Sequence, residues 1–282
     1  MELTGRVAVL TGAGHGMGAA MARRFAAAGA RGIVVSDLDG EAAAEVAESI
    51  NRAGGRACAR QADAASKADL RGLVALAKGE YGGLDVFCSN AGVAFGTGVH
   101  ADDTHWQRSF ELNVLQHVYA AQAALPAMLK ARDGYLVITA SSAGLLSLPG
   151  DAPYSVTKHA AVALAEWLAF TYRSRGIRVS ALCPLGVRTP FLVDGVRAGH
   201  PAATAVVAMG PLIEPEEVAE SVIAAMRAEK LLILPHPSAG DTYARKAAAP
   251  DDWVRETVAT LPTLAASAQA NMHQTVQPGA RG

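Results

Sequence analysis

A serine, a tyrosine and a lysine stand close together in one stretch, SSAGLLSLPGDAPYSVTKHAAVALAEWL, from Ser141 to Leu168. Beyond Pro153 the residues favour helix, and neither glycine nor proline recurs before Gly176. Tyr154 and Lys158 are four residues apart, so on a helix they share a face. A free phenol titrates near pH ~10 and is almost fully protonated at neutral pH. An ammonium beside it favours the phenolate. Such a phenol can take a proton from an alcohol or return one to an alkoxide. Ser141 precedes a short apolar loop, and its hydroxyl can bond the same oxygen. A Tyr-x-x-x-Lys pair taken alone is usually a surface or packing pair. What gives this one weight is the rest of the chain.

The elements that must position these side chains alternate between strand and helix. Arg6 to Leu10 (RVAVL) reads as a buried strand. Thr11 to Gly18 (TGAGHGMG) reads as a glycine-rich turn, and Ala19 to Ala28 as an alanine-rich helix. In that context Gly12 suits a tight turn, Gly16 a close approach of backbone to a pyrophosphate, and Gly18 helix-on-strand packing, with the helix N-terminus facing the phosphates. The strand Gly32 to Ser36 ends at Asp37, about where an acid can bind ribose hydroxyls. Asp37 could instead cap the helix Asp39 to Asn51, although Asp39 fits that role better. Further strands are expected at Arg56 to Ala62, Leu84 to Cys88, Tyr135 to Ala140, Ile177 to Cys183 and Leu231 to Leu234. Helices are expected at Ser66 to Tyr81, Thr104 to Lys130, from Pro153 to about Arg175, and at Glu214 to Glu229. Asn113 sits inside the Thr104 to Lys130 helix, where asparagine is a poor helix former. Pro184 to Thr189 reads as a loop, followed by the apolar Pro190 to Val193. About seven alternations of strand and helix predict an α/β fold with a doubly wound parallel sheet, Rossmann-like, with helices on both faces.

Composition narrows the function classes. The 282 residues hold 25 Lys plus Arg against 26 Asp plus Glu, so nothing points to a nucleic-acid surface. Eight histidines and three cysteines form no HExxH or CxxC pair, and no metal site is expected. Cys58, Cys88 and Cys183 read as buried free thiols, which fits a reducing cytoplasm. No apolar run approaches a membrane span. Residues 1–235 are expected to form the dinucleotide-binding and catalytic domain. Residues 236–266 read as an extension packed on the body or on a neighbouring subunit, through Trp253, Val254, Val258 and Leu261. Residues 267–282 lack periodicity and read as a disordered tail.

In this order the motifs resemble the short-chain dehydrogenases/reductases, in their compact single-domain form. The resemblance covers roughly residues 4 to 235. It rests on the glycine turn at Thr11 to Gly18, Asp63 after the third strand, and Asn90-Ala91-Gly92. Asn113, Ser141, Tyr154-Ser155-Val156-Thr157-Lys158 and the Pro184 to Thr189 loop complete it. It implies Tyr154 as acid/base, Lys158 as the residue that lowers its pKa and binds ribose, and Ser141 as the residue holding the substrate oxygen. Asn113 would anchor a water in the proton relay. It implies NAD held by Gly12, Gly14, His15, Gly16, Met17 and Gly18, with Asp37 and Leu38 at the ribose and Asp63 and Ala64 at the adenine. Asn90, Ala91 and Gly92, then Pro184, Gly186, Val187 and Thr189, would complete that site with Tyr154 and Lys158. Two departures are visible: SNAG in place of the usual NNAG, at Ser89, and Pro-Leu-Gly in place of Pro-Gly, where Leu185 should shape the substrate side. The expected activity is NAD-dependent interconversion of an apolar secondary alcohol and a ketone. Sugar or sterol oxidation, or a non-catalytic NAD-binding scaffold, are the alternatives. The two long helices, apolar on more than one face, predict a homodimer or homotetramer.

Overall fold

The computed structural model describes residues 1–261, and in it the apolar runs pair into one all-parallel sheet. Its strands are β1 (Val7–Leu10), β2 (Gly32–Asp37), β3 (Ala57–Gln61), β4 (Val86–Ser89), β5 (Gly134–Thr139), β6 (Ile177–Leu182) and β7 (Leu232–Ile233). Their order across the sheet is 3-2-1-4-5-6-7. Val9 lies level with Val34 on one side and Phe87 on the other. The doubly wound α/β architecture expected from the alternation is the one observed.

The helices between the strands are α1 (Gly16–Ala27), α2 (Gly40–Arg52) and α3 (Lys67–Tyr81), then α4 (Asp103–Phe110), α5 (Gln116–Ala131) and the single turn α6 (Ala143–Leu146). They continue with α7 (Ala152–Tyr172), α8 (Pro190–Arg197), α9 (Pro201–Ala208), α10 (Pro215–Ala228) and α11 (Pro237–Ala248). Strand residues alternate between two cores, as a period of two requires. Ala8, Leu10, Ile33 and Val35 meet α1, α2 and α10 on one face. Val7, Val9, Val34 and Phe87 meet α3, α5 and α7 on the other. Burial on both faces explains why the strands read as continuous apolar runs. The chain crosses from β1 to β2 in one direction and reaches β4 on the other side. A crevice therefore opens at the carboxyl ends of β1 and β4.

Two local expectations need correction. The helix expected over Thr104 to Lys130 is interrupted by a π turn, Glu111–Leu115, which holds Asn113. The apolar segment after Thr189, for which no helix was expected, forms α8 and α9. Thr189 caps α8 through a bond from Leu192 N–H, and Pro190 and Pro201 open the two helices. Within the extension, α11 is followed by helix 250–261. There Trp253 packs on the second core, whereas Val254 and Val258 are exposed. The expected tail, 267–282, lies outside the described residues.

Candidate active site

The crevice is a cleft of about 740 Å³ at the carboxyl ends of the strands. Its floor begins with the glycine turn after β1. Gly12 has φ +59, and a Cβ there would lie 2.8 Å from Ala91 Cα. Gly16 has φ +50, and a Cβ there would lie 2.9 Å from Thr189 Cγ2. Both positions favour glycine on conformation and on space. Gly18 packs its Cα against the Gly12 carbonyl, as close helix–strand packing requires. His15, the N-cap of α1, makes no side-chain cap bond, and no acid occupies the first turn. The N–H groups of that turn are therefore open to an anion.

Asn90 locks the turn in place. Its N–H donates to Thr11 Oγ1 at 3.0 Å, and its Nδ2 donates to the Thr11 and Gly12 carbonyls at 3.1 and 2.9 Å. Asp37 reaches the same turn from the end of β2. Its Oδ2 accepts from Gly14 N–H at 2.9 Å, and its Oδ1 accepts from Asp39 N–H at 3.1 Å. Asp39, not Asp37, caps α2, accepting from Glu41 and Ala42 N–H. Helix capping is thereby removed as an account of Asp37.

Tyr154, Lys158 and Ser141 meet at the other end of the cleft. Lys158 is buried, and its Nζ donates to the Thr139 carbonyl at 2.8 Å. Thr139 Oγ1 in turn donates to Asn90 Oδ1 at 3.1 Å, so one residue at the end of β5 joins the two halves of the site. Lys158 Nζ lies 5.5 Å from the centre of the Tyr154 ring. The i, i+4 spacing does place both residues on one face. The expected electrostatic effect differs, however. Burial pushes the Tyr154 phenol up to about 12, with the Ser141 hydroxyl opposing. Burial also brings the Lys158 ammonium down to about 8. Desolvation disfavours each charged form and is the largest cause of both shifts.

Asn113 is fully buried, behind the cleft rather than on its wall. Its Oδ1 accepts from Val93 N–H at 3.0 Å. Its Nδ2 donates to the Val93 carbonyl at 2.9 Å and to Thr157 Oγ1 at 3.1 Å. Gly92 separates Asn113 from the cleft. A Cβ on Gly92 would stand 3.1 Å from Asn113 Oδ1 and 3.4 Å from Lys158 Nζ. The π turn that carries Asn113 is a distortion of the helical ladder frequent at functional sites.

The other expected binding residues divide in two. His15, Met17, Leu38, Asp63, Ala64 and Ala91 line the cleft, as do Pro184, Val187 and Thr189. Gly14 and Gly186 do not. Gly14 is turned to Asp37 through its N–H, and Gly186 packs under Leu212 while its carbonyl accepts from Ile213 N–H. Among the described residues no group of acids, histidines and cysteines could hold a metal ion. The thiols of Cys88 and Cys183 are raised by burial, which keeps them protonated.

Asp151 was not singled out by the sequence. It is buried at the N-cap of α7, where Oδ1 accepts from Tyr154 N–H at 2.9 Å. Oδ2 accepts from Phe95 and Gly96 N–H at 2.9 and 2.7 Å. One carboxylate thus fixes both the helix carrying Tyr154 and the loop facing it. Asp-Ala-Pro is a legible cap signal, but nothing local announces the second contact. Asp151→Ala is expected to destabilise the protein by about 2–4 kcal/mol, from a lost cap and two N–H groups left unpaired. Urea unfolding measures this; a change below about 1 kcal/mol would count against the double role.

The glycine cradle, the open helix N-terminus and the volume of the cleft fit a dinucleotide. Comparison with known proteins agrees. The family model described as short chain dehydrogenase matches residues 6–197. The 1-deoxy-11-beta-hydroxypentalenate dehydrogenase of Streptomyces exfoliatus is 38% identical over 202 residues, which is 70% of this chain and 73% of that protein. The cyclohexanol dehydrogenase of Acinetobacter sp. (strain SE19) is 32% identical over 227 residues, 78% of this chain and 87% of that one. A crystal structure of a short chain dehydrogenase/reductase from Burkholderia phymatum in complex with NAD superposes with a TM-score of 0.81 at 29% identity. It covers 89% of this chain and 96% of the other.

Proposed function

The chain belongs to the short-chain dehydrogenase/reductase family, and from that premise we propose that it interconverts an apolar secondary alcohol and a ketone with NAD. The observation that carries this is the meeting of Ser141, Tyr154 and Lys158 at one end of a dinucleotide-sized cleft. The nicotinamide, when bound, supplies or accepts the hydride. Gly12, Gly16 and the first turn of α1 would hold the pyrophosphate, and Asp37 the adenosine ribose. Tyr154 moves the proton at the substrate oxygen, and Ser141 orients that oxygen by hydrogen bonding. Lys158, tied to Thr139, holds a cation beside the phenol. Asn113 supports them by fixing the Val93 backbone and Thr157. Spectrophotometry at the NADH absorbance band, with a panel of secondary alcohols, tests the assignment. A protein that binds NADH but turns over none of them would count for a non-catalytic scaffold.

Substrate character follows from the wall near Tyr154. Val93, Ala94, Leu148, Leu185, Phe191 and Val206 line it. Arg188, in the loop after β6, pairs with Glu214 at 2.8 Å and does not reach the cleft. Arg108 does line the cleft, yet it pairs with Glu111 and stands 3.6 Å from Asp63, just after β3. An apolar cyclic or aromatic alcohol fits this wall. We expect kcat/KM for such alcohols to exceed that for small sugar phosphates by at least about a hundredfold. The reverse preference would sink the substrate class.

The same proposal includes self-association. Val156, Trp167 and Phe170 on α7 are exposed, as are Phe110 just before the π turn and Leu115 at its end. Covering such apolar side chains favours a homodimer or homotetramer. Light scattering is expected to report two or four chains; a stable monomer at micromolar concentration would exclude it.

A further inference from the structure

The extension beyond β7 reaches back to the cleft through one side chain. His236 stands between Pro235 and Pro237, at the N-cap of α11. A residue before proline is confined to extended backbone, and His236 has φ −106 and ψ 104. Its ring is therefore held with little freedom, and it is buried. Nδ1 lies 3.2 Å from Leu185 N and Nε2 lies 3.1 Å from the Gly186 carbonyl. An amide N–H can only donate, so Nδ1 must be the bare nitrogen. Nε2 then carries the proton and donates to Gly186. The neutral ring is thus a two-point clamp on consecutive residues of the loop after β6, and burial favours that neutral form.

The clamped loop touches the chemistry directly. The Pro184 carbonyl accepts from Ser142 N–H at 2.8 Å, and Ser141 Oγ lies 3.5 Å from the same carbonyl. Leu185 lines the cleft. Ten residues after His236, Lys246 Nζ donates to the Leu145 carbonyl at 2.6 Å, so α11 also braces the turn that follows Ser141.

We propose that His236 is a positioning residue: it fixes Leu185 and Gly186, and through Pro184 the backbone at Ser141, in the form that receives the nicotinamide end of the cofactor. This rests on the dehydrogenase assignment above. Asparagine can place an acceptor near the Nδ1 position, whereas phenylalanine keeps the ring and loses both bonds. Hydrogen exchange of the cofactor-free protein reads the clamp itself. His236→Phe is expected to speed exchange in the 184–189 segment by about fivefold to tenfold, the worth of the bond from Leu185 N–H, because the Gly186 carbonyl keeps Ile213 N–H as a donor; β1 and α1 should be unchanged. NADH titration by fluorescence is expected to show Kd raised by a similar factor, and KM for the cofactor should rise while kcat stays within about threefold. His236→Asn should recover most of both effects. Thermal melting identifies any variant that fails to fold, and His236→Ala, which also loses both bonds, then takes the place of the Phe variant. A folded Phe or Ala variant with wild-type exchange and wild-type NADH affinity overturns the clamp alone. A wild-type chain that binds no NADH overturns the dehydrogenase assignment and this role with it.

Discussion

Replacing Tyr154 with Phe is expected to lower turnover by on the order of 10²–10⁴-fold, leaving the fold and NADH affinity intact, as loss of one acid/base group does. The phenol stands at the cleft on α7, with the Phe191 ring 6.4 Å from its own and Ser141 beside it. Removing one hydroxyl leaves the ring packing in place, so the effect falls on proton transfer. The raised phenol adds a directional expectation. With its pKa held up near about 12 by burial, Tyr154 is a proton donor at neutral pH in the free protein. Reduction needs that donor. Oxidation needs the phenolate, so its kcat/KM should climb with pH across the alkaline range. Lys158 titrates near about 8, and the remaining cation falls away above that, which should flatten the climb. The Phe variant should lose the pH slope along with the rate. Turnover within a few-fold of wild type, or an unchanged profile, would remove Tyr154 from the mechanism.

NAD should be preferred over NADP by roughly 10²-fold, with Asp37 as the selector. The carboxylate is held from both sides by backbone N–H groups of Gly14 and Asp39. It therefore cannot swing clear of a 2′-phosphate. At an effective dielectric near ~20, two unit charges ~4 Å apart repel by about 4 kcal/mol. Ionic screening and partial exposure reduce that to the expected factor. The next residue, Leu38, is exposed and offers no charge, and His15 lies 3.7 Å from the Asp39 carboxylate. Asp37→Ala also frees the Gly14 amide, so both cofactors should bind less well. The ratio of the two kcat/KM values is thus the informative quantity, and it should move toward one. A wild type favouring NADP, or a ratio untouched by the substitution, would exclude Asp37 as the selector.

The sheet was legible because strands buried on both faces need uninterrupted apolar residues. RVAVL, GIVVS and YLVITA could be little else between glycine turns and alanine-rich helices. Asp39 was legible as a cap because its side chain acts on the residues next to it. Long-range partners were not. Nothing in ELNVL distinguishes a π turn from an α turn, since the cause lies in what Asn113 must reach: the Val93 backbone and Thr157. Asp151 looks like any helix cap until Phe95 and Gly96 are folded against it. The Lys158 bond to Thr139 needs β5 beside α7, which the order of motifs does not state. Gly195 and Gly199 punctuate the segment after Thr189, and with Pro190 and Pro201 they masked two short helices.

Leu192, Val196, Val206 and Val207, from α8 and α9, pack with Ala143 and Leu148 in a third small core, apart from the two that hold the sheet. The ring of Tyr154 leans on it from the cleft side. Substitutions there are felt by a handful of contacts, while the large cores keep the chain folded. A lineage can therefore drift in what it accepts without passing through unfolded intermediates in sequence space. The limit on that drift is Tyr154 itself: every new packing of α8 and α9 must still support the same ring.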